Sequence, residues 1–201
     1  DSDSKDYLQG IFDTILNKDI ARRLNIADTV SLENVTKFLL HSIGNKISPT
    51  KIANTLKSAG KSVDQKTVDK YIKGLVDSML IYEAGIYNIK GKQFLSTQSK
   101  YYVVDVGMRN ALVKSSESDI GHILENIVYL ELKRRYKNVY VGEIDSGEVD
   151  FVSVNDNKYE YYQVSATTLD ENTLKRELAP FGKIKDNYPK YLLTLDDVFS
   201  N

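Results

Sequence analysis

Cysteine is absent from this 201-residue chain, so it has neither a disulfide framework nor a thiolate zinc site. Histidine is limited to His41 and His122. That excludes His-rich metal sites and leaves little room for Ser-His-Asp chemistry. No apolar run approaches the roughly 20 residues that span a bilayer, and no signal peptide opens the chain. Three prolines argue against a disordered linker protein. A net charge of -1 excludes both a highly basic coat protein and an acidic tail. What remains is ordinary globular composition, 41% apolar and 27% charged, in a length that suits one large domain or two small ones. The first residue is Asp1 rather than Met, and the chain reads as a cytoplasmic fragment of something longer.

Charge is unevenly spread. Residues 33–95 carry ten lysines against five acids, net +5, whereas residues 96–201 are net -4. Such asymmetry points toward a nucleic-acid-facing module joined to a more acidic one. The signal is weakened because Lys outnumbers Arg 21 to 6, and Arg is the better reader of bases and phosphates.

Residues 1–95 read as helices closing with a small hairpin. Leu8, Ile11, Phe12, Ile15, Leu16 and Ile20 form a helical stripe over Tyr7–Arg23. Ser31 suits the N-cap of a second helix, closed by Gly44. Ser48-Pro49 opens a third, stopped at Gly60. Asp64 caps a fourth, with Val68, Tyr71, Ile72, Leu75, Val76 and Met79 inward. Leu80–Glu83 and Ile86–Ile89 then read as strands around Ala84-Gly85. Three helices followed by a hairpin predict a winged helix-turn-helix over residues 31–95, with residues 1–30 as a helical junction. In the recognition helix Lys66, Lys70 and Lys73 would meet phosphates and Gln65 or Thr67 base edges, with Lys92 following the wing. The same lysines also fit a solvated helix face, diluted by Asp69 and Asp77, or a protein contact.

Residues 96–201 read as α/β. Lys100–Val106 is strand-like or a packed connector, and Gly107–Leu112 reads as a short helix. Asp119 is placed to cap a long helix, Ile120–Tyr136. Strands follow at 138–143, 148–154 and 159–166, joined by the turn sequences Asp145-Ser146-Gly147 and Asn155-Asp156-Asn157. A helix over Leu174–Lys185 and a strand over Tyr191–Leu195 complete an αβββαβ order.

Inside that order lies a carboxylate constellation. Glu125 sits early in the long helix, Asp150 at the centre of the second strand, and Gln163 thirteen residues later on the third. Alternation puts Glu148 and Asp150 on one face, opposite Val149 and Phe151. If the polar faces meet, Asp150 and Gln163 become cross-hairpin neighbours within reach of Glu125. One helix acid, one strand acid and a strand amide make an oxygen-rich cluster of the kind Mg²⁺ or Mn²⁺ prefers.

This order and spacing resemble the PD-(D/E)XK nuclease-like fold. The chain as a whole resembles the C-terminal region of archaeal and bacterial AAA-type ATPases that carry the DUF4143 domain. The residues that carry this likeness are Lys18–Arg23, Lys100-Tyr101-Tyr102 with Asp105-x-Gly107, Gly121-x-x-x-Glu125-Asn126, Glu148–Phe151 and Asp186–Tyr191. The resemblance implies an α+β or α/β chain with a mixed sheet, a winged helix followed by a nuclease-like domain over residues 96–201. It also implies an ATP site in a missing N-terminal module, since no phosphate-binding loop occurs here. Arg22 and Arg23 would mark that junction, or simply be a surface pair at a helix C-terminus.

The nuclease motif is altered where chemistry needs it. Active members of that fold pair an acid with Lys on the third strand. Here the pair is Gln163-x-Ser165, and Ser cannot supply the Lys charge. Lys133, Lys158, Lys175 and Arg176 are candidates for a migrated cation. The expected function is therefore engagement of duplex DNA or a protein partner by an ATPase fragment with an inactive nuclease-like domain. A metal-dependent DNA endonuclease with Glu125, Asp150 and Gln163 as ligands is a second reading, and a protein-interaction or homo-oligomerisation platform a third. No cofactor beyond Mg²⁺ or Mn²⁺ is expected in the chain itself. Glu131 falls near the centre of the apolar stripe of the long helix. A buried unpaired carboxylate is costly, so either a basic partner such as Arg109 or Arg176 is predicted for it, or the helix is rotated and Glu131 lies at a domain seam.

Overall fold

A computed structural model describes residues 2–114, 119–145 and 147–197. The protein is α+β with a mixed sheet. Its helices are α1 (Ser2–Thr14), α2 (Thr29–His41), α3 (Pro49–Ser58), α4 (Gln65–Asp77), α5 (Val106–Leu112), α6 (Ile120–Arg135) and α7 (Glu171–Leu178). Its strands are β1 (Ile81–Asn88), β2 (Gln93–Val103), β3 (Val139–Ile144), β4 (Gly147–Asn155), β5 (Lys158–Ser165) and β6 (Lys190–Thr194). They form one sheet in the order β2-β1-β3-β4-β5-β6. The chain divides into two units, Asp1–Glu83 with Ser99–Ser115 and Ala84–Gln98 with Ser116–Asn201.

In the first unit, α1 passes into a π-helical stretch, Ile15–Ala21, that buries Leu16, Ile20 and Ala21. Helices α2, α3 and α4 pack on one another. Ser48 caps α3 by accepting from the Lys51 amide at 3.2 Å, with Pro49 at the first helical position. Asp64 caps α4 by accepting from the Thr67 amide at 3.0 Å. The cap of α2 differs from expectation. Asp28, not Ser31, holds it, its carboxylate accepting from the Ser31 amide at 2.9 Å. A side-chain oxygen accepts from amides two or three residues on, which Ser31 here supplies as donor.

The expected hairpin around Ala84-Gly85 is also corrected. β1 runs continuously through both residues, and Ala84 is fully buried. The reversal comes at residues 89–92, where Asn88 Oδ1 accepts from the Gly91 amide at 2.5 Å and Lys92 takes a positive φ of 48°. Asn and Gly supply turn chemistry there, whereas Ala84 belongs to a strand core.

The second unit contains the αβββαβ order read from sequence. β3, β4 and β5 are an antiparallel meander, and β6 joins β5 in parallel. Asp156 and Asn157 both have positive φ, as a two-residue type I′ turn requires. Beyond expectation, β1 pairs in parallel with β3, Ile86 opposite Val141. The helix expected over Leu174–Lys185 is shorter: α7 ends at Leu178, and a 3₁₀ turn, Phe181–Lys183, follows Pro180. Proline lacks an amide proton and clashes with the preceding turn, so the α-helix stops there. One face of the sheet packs on α6, with Phe151 against Tyr129 at 5.5 Å between ring centroids. Tyr87, Ile89, Ile144, Val149, Val152, Tyr159, Tyr161 and Ile184 form a buried cluster. Among the described residues no helix is long and apolar enough to cross a membrane.

Candidate functional site

The orientation of α6 decides which polar groups meet the sheet. Its buried residues are Glu125, Asn126, Tyr129 and Leu132, whereas Ile120 and Ile127 are 55% and 49% exposed. The helix is thus rotated from the stripe drawn on its apolar residues alone, and Glu125 rather than Glu131 lies on its buried face. Glu131 is part-exposed and accepts from both Arg134 and Arg135, at 2.7 and 2.6 Å. These bonds hold its carboxyl down to about 2. The predicted basic partner exists, but it comes from the next turn of the same helix. Neither expected partner supplies it: Arg109 is buried, donating to the Leu40 carbonyl at 2.9 Å, and Arg176 bonds Glu177. Asp119 stands at the N-cap position of α6 without a side-chain cap bond.

β4 carries one more residue than β3 between their paired positions. Gly142 lies opposite Val149 and Tyr140 opposite Val152. This bulge interrupts strict alternation, and bulges re-aim side chains. Val149 and Val152 consequently share one core cluster, Phe151 meets α6, and Asp150 lines a pocket with Glu125. The sequence alternation that set Asp150 opposite Phe151 missed this turn of the backbone.

The pocket has a volume of about 500 Å³. Glu125, Asp150 and Gln163 all line it, together with His122, Arg176 and Glu177. Asp150 and Gln163 are cross-strand neighbours, as expected. The Asp150 amide donates to Gln163 Oε1 at 3.3 Å, and the Val164 amide donates to Asp150 Oδ2 at 2.8 Å. Gln163 Nε2 donates to Glu177 Oε2 at 3.1 Å, and Arg176 donates to the other oxygen of Glu177 at 2.9 Å. Glu177 was not singled out from sequence. A period-3.6 reading of α7 would have placed it on the sheet-facing side.

Of the candidate cations, Arg176 alone lines the pocket. Lys133 donates to the Lys137 carbonyl, and Lys175 pairs with Glu171 at 2.6 Å. Ser165, in the position the resemblance gives to Lys, donates its hydroxyl to the Thr167 carbonyl at 2.8 Å. Among the described residues no three or more His, Asp or Glu groups are arranged to hold a metal. The donor set instead offers two carboxylates and an amide. Mg²⁺ takes one or two carboxylates, retains waters and completes its shell with phosphate oxygens. The residues present fit that open pattern and not a closed protein cage.

In the first unit Lys66, Lys70 and Lys73 lie exposed on α4. Gln65 accepts from the Thr50 hydroxyl at 2.9 Å, and Thr67 is engaged by the Asp64 cap. Lys92 lies in the second unit, over the Tyr159 ring at 5.8 Å.

The model of a family described as "Domain of unknown function (DUF8612)" matches residues 1–119. The chain belongs to this family. DUF8612 replaces the DUF4143 assignment, which rested on short motifs. An uncharacterized protein of Haemophilus influenzae is 41% identical over 187 residues, covering 93% of this chain and 46% of its own length. The uncharacterized protein MJ1544 of Methanocaldococcus jannaschii is 34% identical over 199 residues, covering 96% and 42%. The chain thus spans less than half the length of these curated relatives. Neither name assigns an ATPase activity or DNA binding, and the DUF8612 match overturns the reading of an AAA-type ATPase C-terminal region that engages DNA. Protein VC1899 of Vibrio cholerae aligns in structure at 10% identity over 93% of this chain and 48% of its own, with a TM-score of 0.28. Glu125, Asp150 and Gln163 lie beyond the part of the chain that the DUF8612 model matches.

Proposed function

We propose that the second unit of this DUF8612 protein is a nuclease-like αβββαβ scaffold that binds a phosphate-bearing ligand through a divalent cation and does not cleave it. Glu125 and Asp150 hold the cation, and Gln163 fixes the Asp150 backbone. In the same reading α2–α4 with the β1–β2 hairpin form a winged helix-turn-helix.

The observation that carries the reading is the β4 bulge, which turns Asp150 toward the helix that bears Glu125. The antiparallel meander followed by a parallel β6 supports the scaffold assignment. The missing Lys supports binding over hydrolysis. Developing negative charge at a reacting phosphate needs a fixed cation, and Arg176 is committed to Glu177. When bound, Mg²⁺ or Mn²⁺ supplies positive charge for phosphate oxygens. The chain's own task is to orient two carboxylates toward one point.

Calorimetric titration with Mn²⁺, with and without pyrophosphate, tests this. Wild type is expected to take up Mn²⁺, more tightly when pyrophosphate is present. Glu125→Gln and Asp150→Asn are expected to weaken uptake by about tenfold or more, since even outer-shell changes cost 10–100-fold. No uptake by wild type, or equal uptake by both variants, would overturn the assignment.

A further inference from the structure

A second groove is lined by the C-terminal half of α6, beyond the stretch that lines the polar pocket. Its volume is about 480 Å³, within the range of small-molecule sites. Its floor is a hydrogen-bonded group of three side chains. Tyr136 donates its hydroxyl to Glu160 Oε2 at 2.8 Å, and the Tyr162 hydroxyl is bonded to the same oxygen. The walls are aromatic and aliphatic. Tyr191 stacks on Tyr162 with ring centroids 5.2 Å apart and planes at 21°. Tyr136 stands beside Tyr162 at 6.4 Å, and Ile127 and Leu193 close the sides.

Charge bookkeeping fixes what such a groove can take. Arg135 reaches its rim and pairs with Glu131 at 2.6 Å, a carboxylate it shares with Arg134, which does not line the groove. Glu160 is the remaining ionisable charge lining the groove, and its two known partners are neutral phenols. The result is one carboxylate at the base of an aromatic trough. An anion is repelled by the carboxylate. A purely apolar ligand leaves Glu160 covered without a counter-charge, which is costly. A cation on an apolar stem satisfies every surface: the ring faces attract it, the carboxylate neutralises it, and the stem lies along Ile127 and Leu193. A guanidinium suits best, because it is planar, weakly hydrated and stacks on aromatic faces.

We propose that the groove between α6 and β6 is a binding site for a small organic cation, a guanidinium carried on a short apolar stem, held by Glu160 and stacked on Tyr191.

The test compares butylguanidinium with butylurea, a neutral molecule of nearly the same shape, by amide chemical-shift titration of the full chain. Butylguanidinium is expected to bind with shifts at residues of α6, β5 and β6. Butylurea is expected to bind at least about tenfold more weakly, as loss of one charge-assisted bond predicts. Glu160→Gln keeps an acceptor for the two phenols and removes the charge, and should also lose about tenfold. Tyr191→Ala removes the half-exposed wall outside that hydrogen-bonded group and should lose a few-fold. Equal binding of the two probes to wild type would overturn the proposal, as would saturable shifts confined to other elements or the absence of binding. The probe comparison needs no variant to fold. Both variants should take up Mn²⁺ as wild type does, so this site and the cation pocket fail or stand separately.

Discussion

Glu125 and Glu131 share one helix and meet opposite fates. Glu125 is buried beside Asp150, whereas Glu131 is clamped at the surface by two arginines. The choice between them turned on helix rotation, which the apolar residues of α6 leave weakly specified because Glu125 and Asn126 occupy its buried face. Caps were legible in part: Ser48 and Asp64 cap as their residue types predict, whereas Ser31 donates its amide to Asp28 and Asp119 makes no side-chain cap bond. Ser48→Ala is expected to cost about 1 kcal/mol in a denaturant titration. The capping carboxylates also set an acid limit. Asp28, Asp64 and Asp170 are each held below the usual carboxylate range, chiefly by hydrogen bonds from Ser31, Thr67 and Thr173 respectively. A lowered folded pKa contributes stability above the unfolded value, near 3.8 for Asp, and loses it as pH falls through the folded value. The thermal midpoint should therefore fall between about pH 4 and pH 2. Asp64→Asn, which caps without titrating, should show a shallower fall than wild type. An identical pH slope in the variant would remove Asp64 from the account.

At the scale of elements, the αβββ run and the β4–β5 turn follow from period-2 patterning and from Asn-Asp-Asn chemistry, while the expected turn at Asp145-Ser146-Gly147 includes Ser146, outside the described residues. The interruptions were less visible. Pro180 does announce the end of α7, but the β4 bulge has no sequence mark, since Asp150-Phe151 reads as ordinary alternation. The bulge depends on Gly142 of the facing strand. A Cβ there would lie 2.8 Å from Ile89 Cδ1 and 3.1 Å from Val149 Cβ. Gly142→Ala is expected to destabilise by about 1–3 kcal/mol through overpacking. It should also weaken Mn²⁺ uptake, because the same register aims Asp150. Phe151→Ala, which empties the contact with Tyr129, should cost about 3–5 kcal/mol by chemical denaturation. If Gly142→Ala leaves both stability and uptake unchanged, the bulge is not what orients the carboxylate.

Across the whole molecule, the mixed sheet was foreseen in class but not in composition. The parallel pairing of β1 with β3 joins residues 86–88 to residues 141–143, and no local pattern encodes so distant a partner. The family was misread because its assignment rested on short motifs, which the DUF8612 match over residues 1–119 overrides. The DUF8612 match and two uncharacterized relatives leave function to the chemistry of the pocket. That chemistry is two carboxylates lining one pocket from α6 and β4, with Ser165 rather than a lysine two residues after Gln163 on β5. The most direct test is anomalous diffraction from crystals of the protein grown with Mn²⁺. A peak about 2 Å from carboxylate oxygens of both Glu125 and Asp150 is the predicted result. A map with no peak there, or with Mn²⁺ bound only elsewhere, would contradict the central claim.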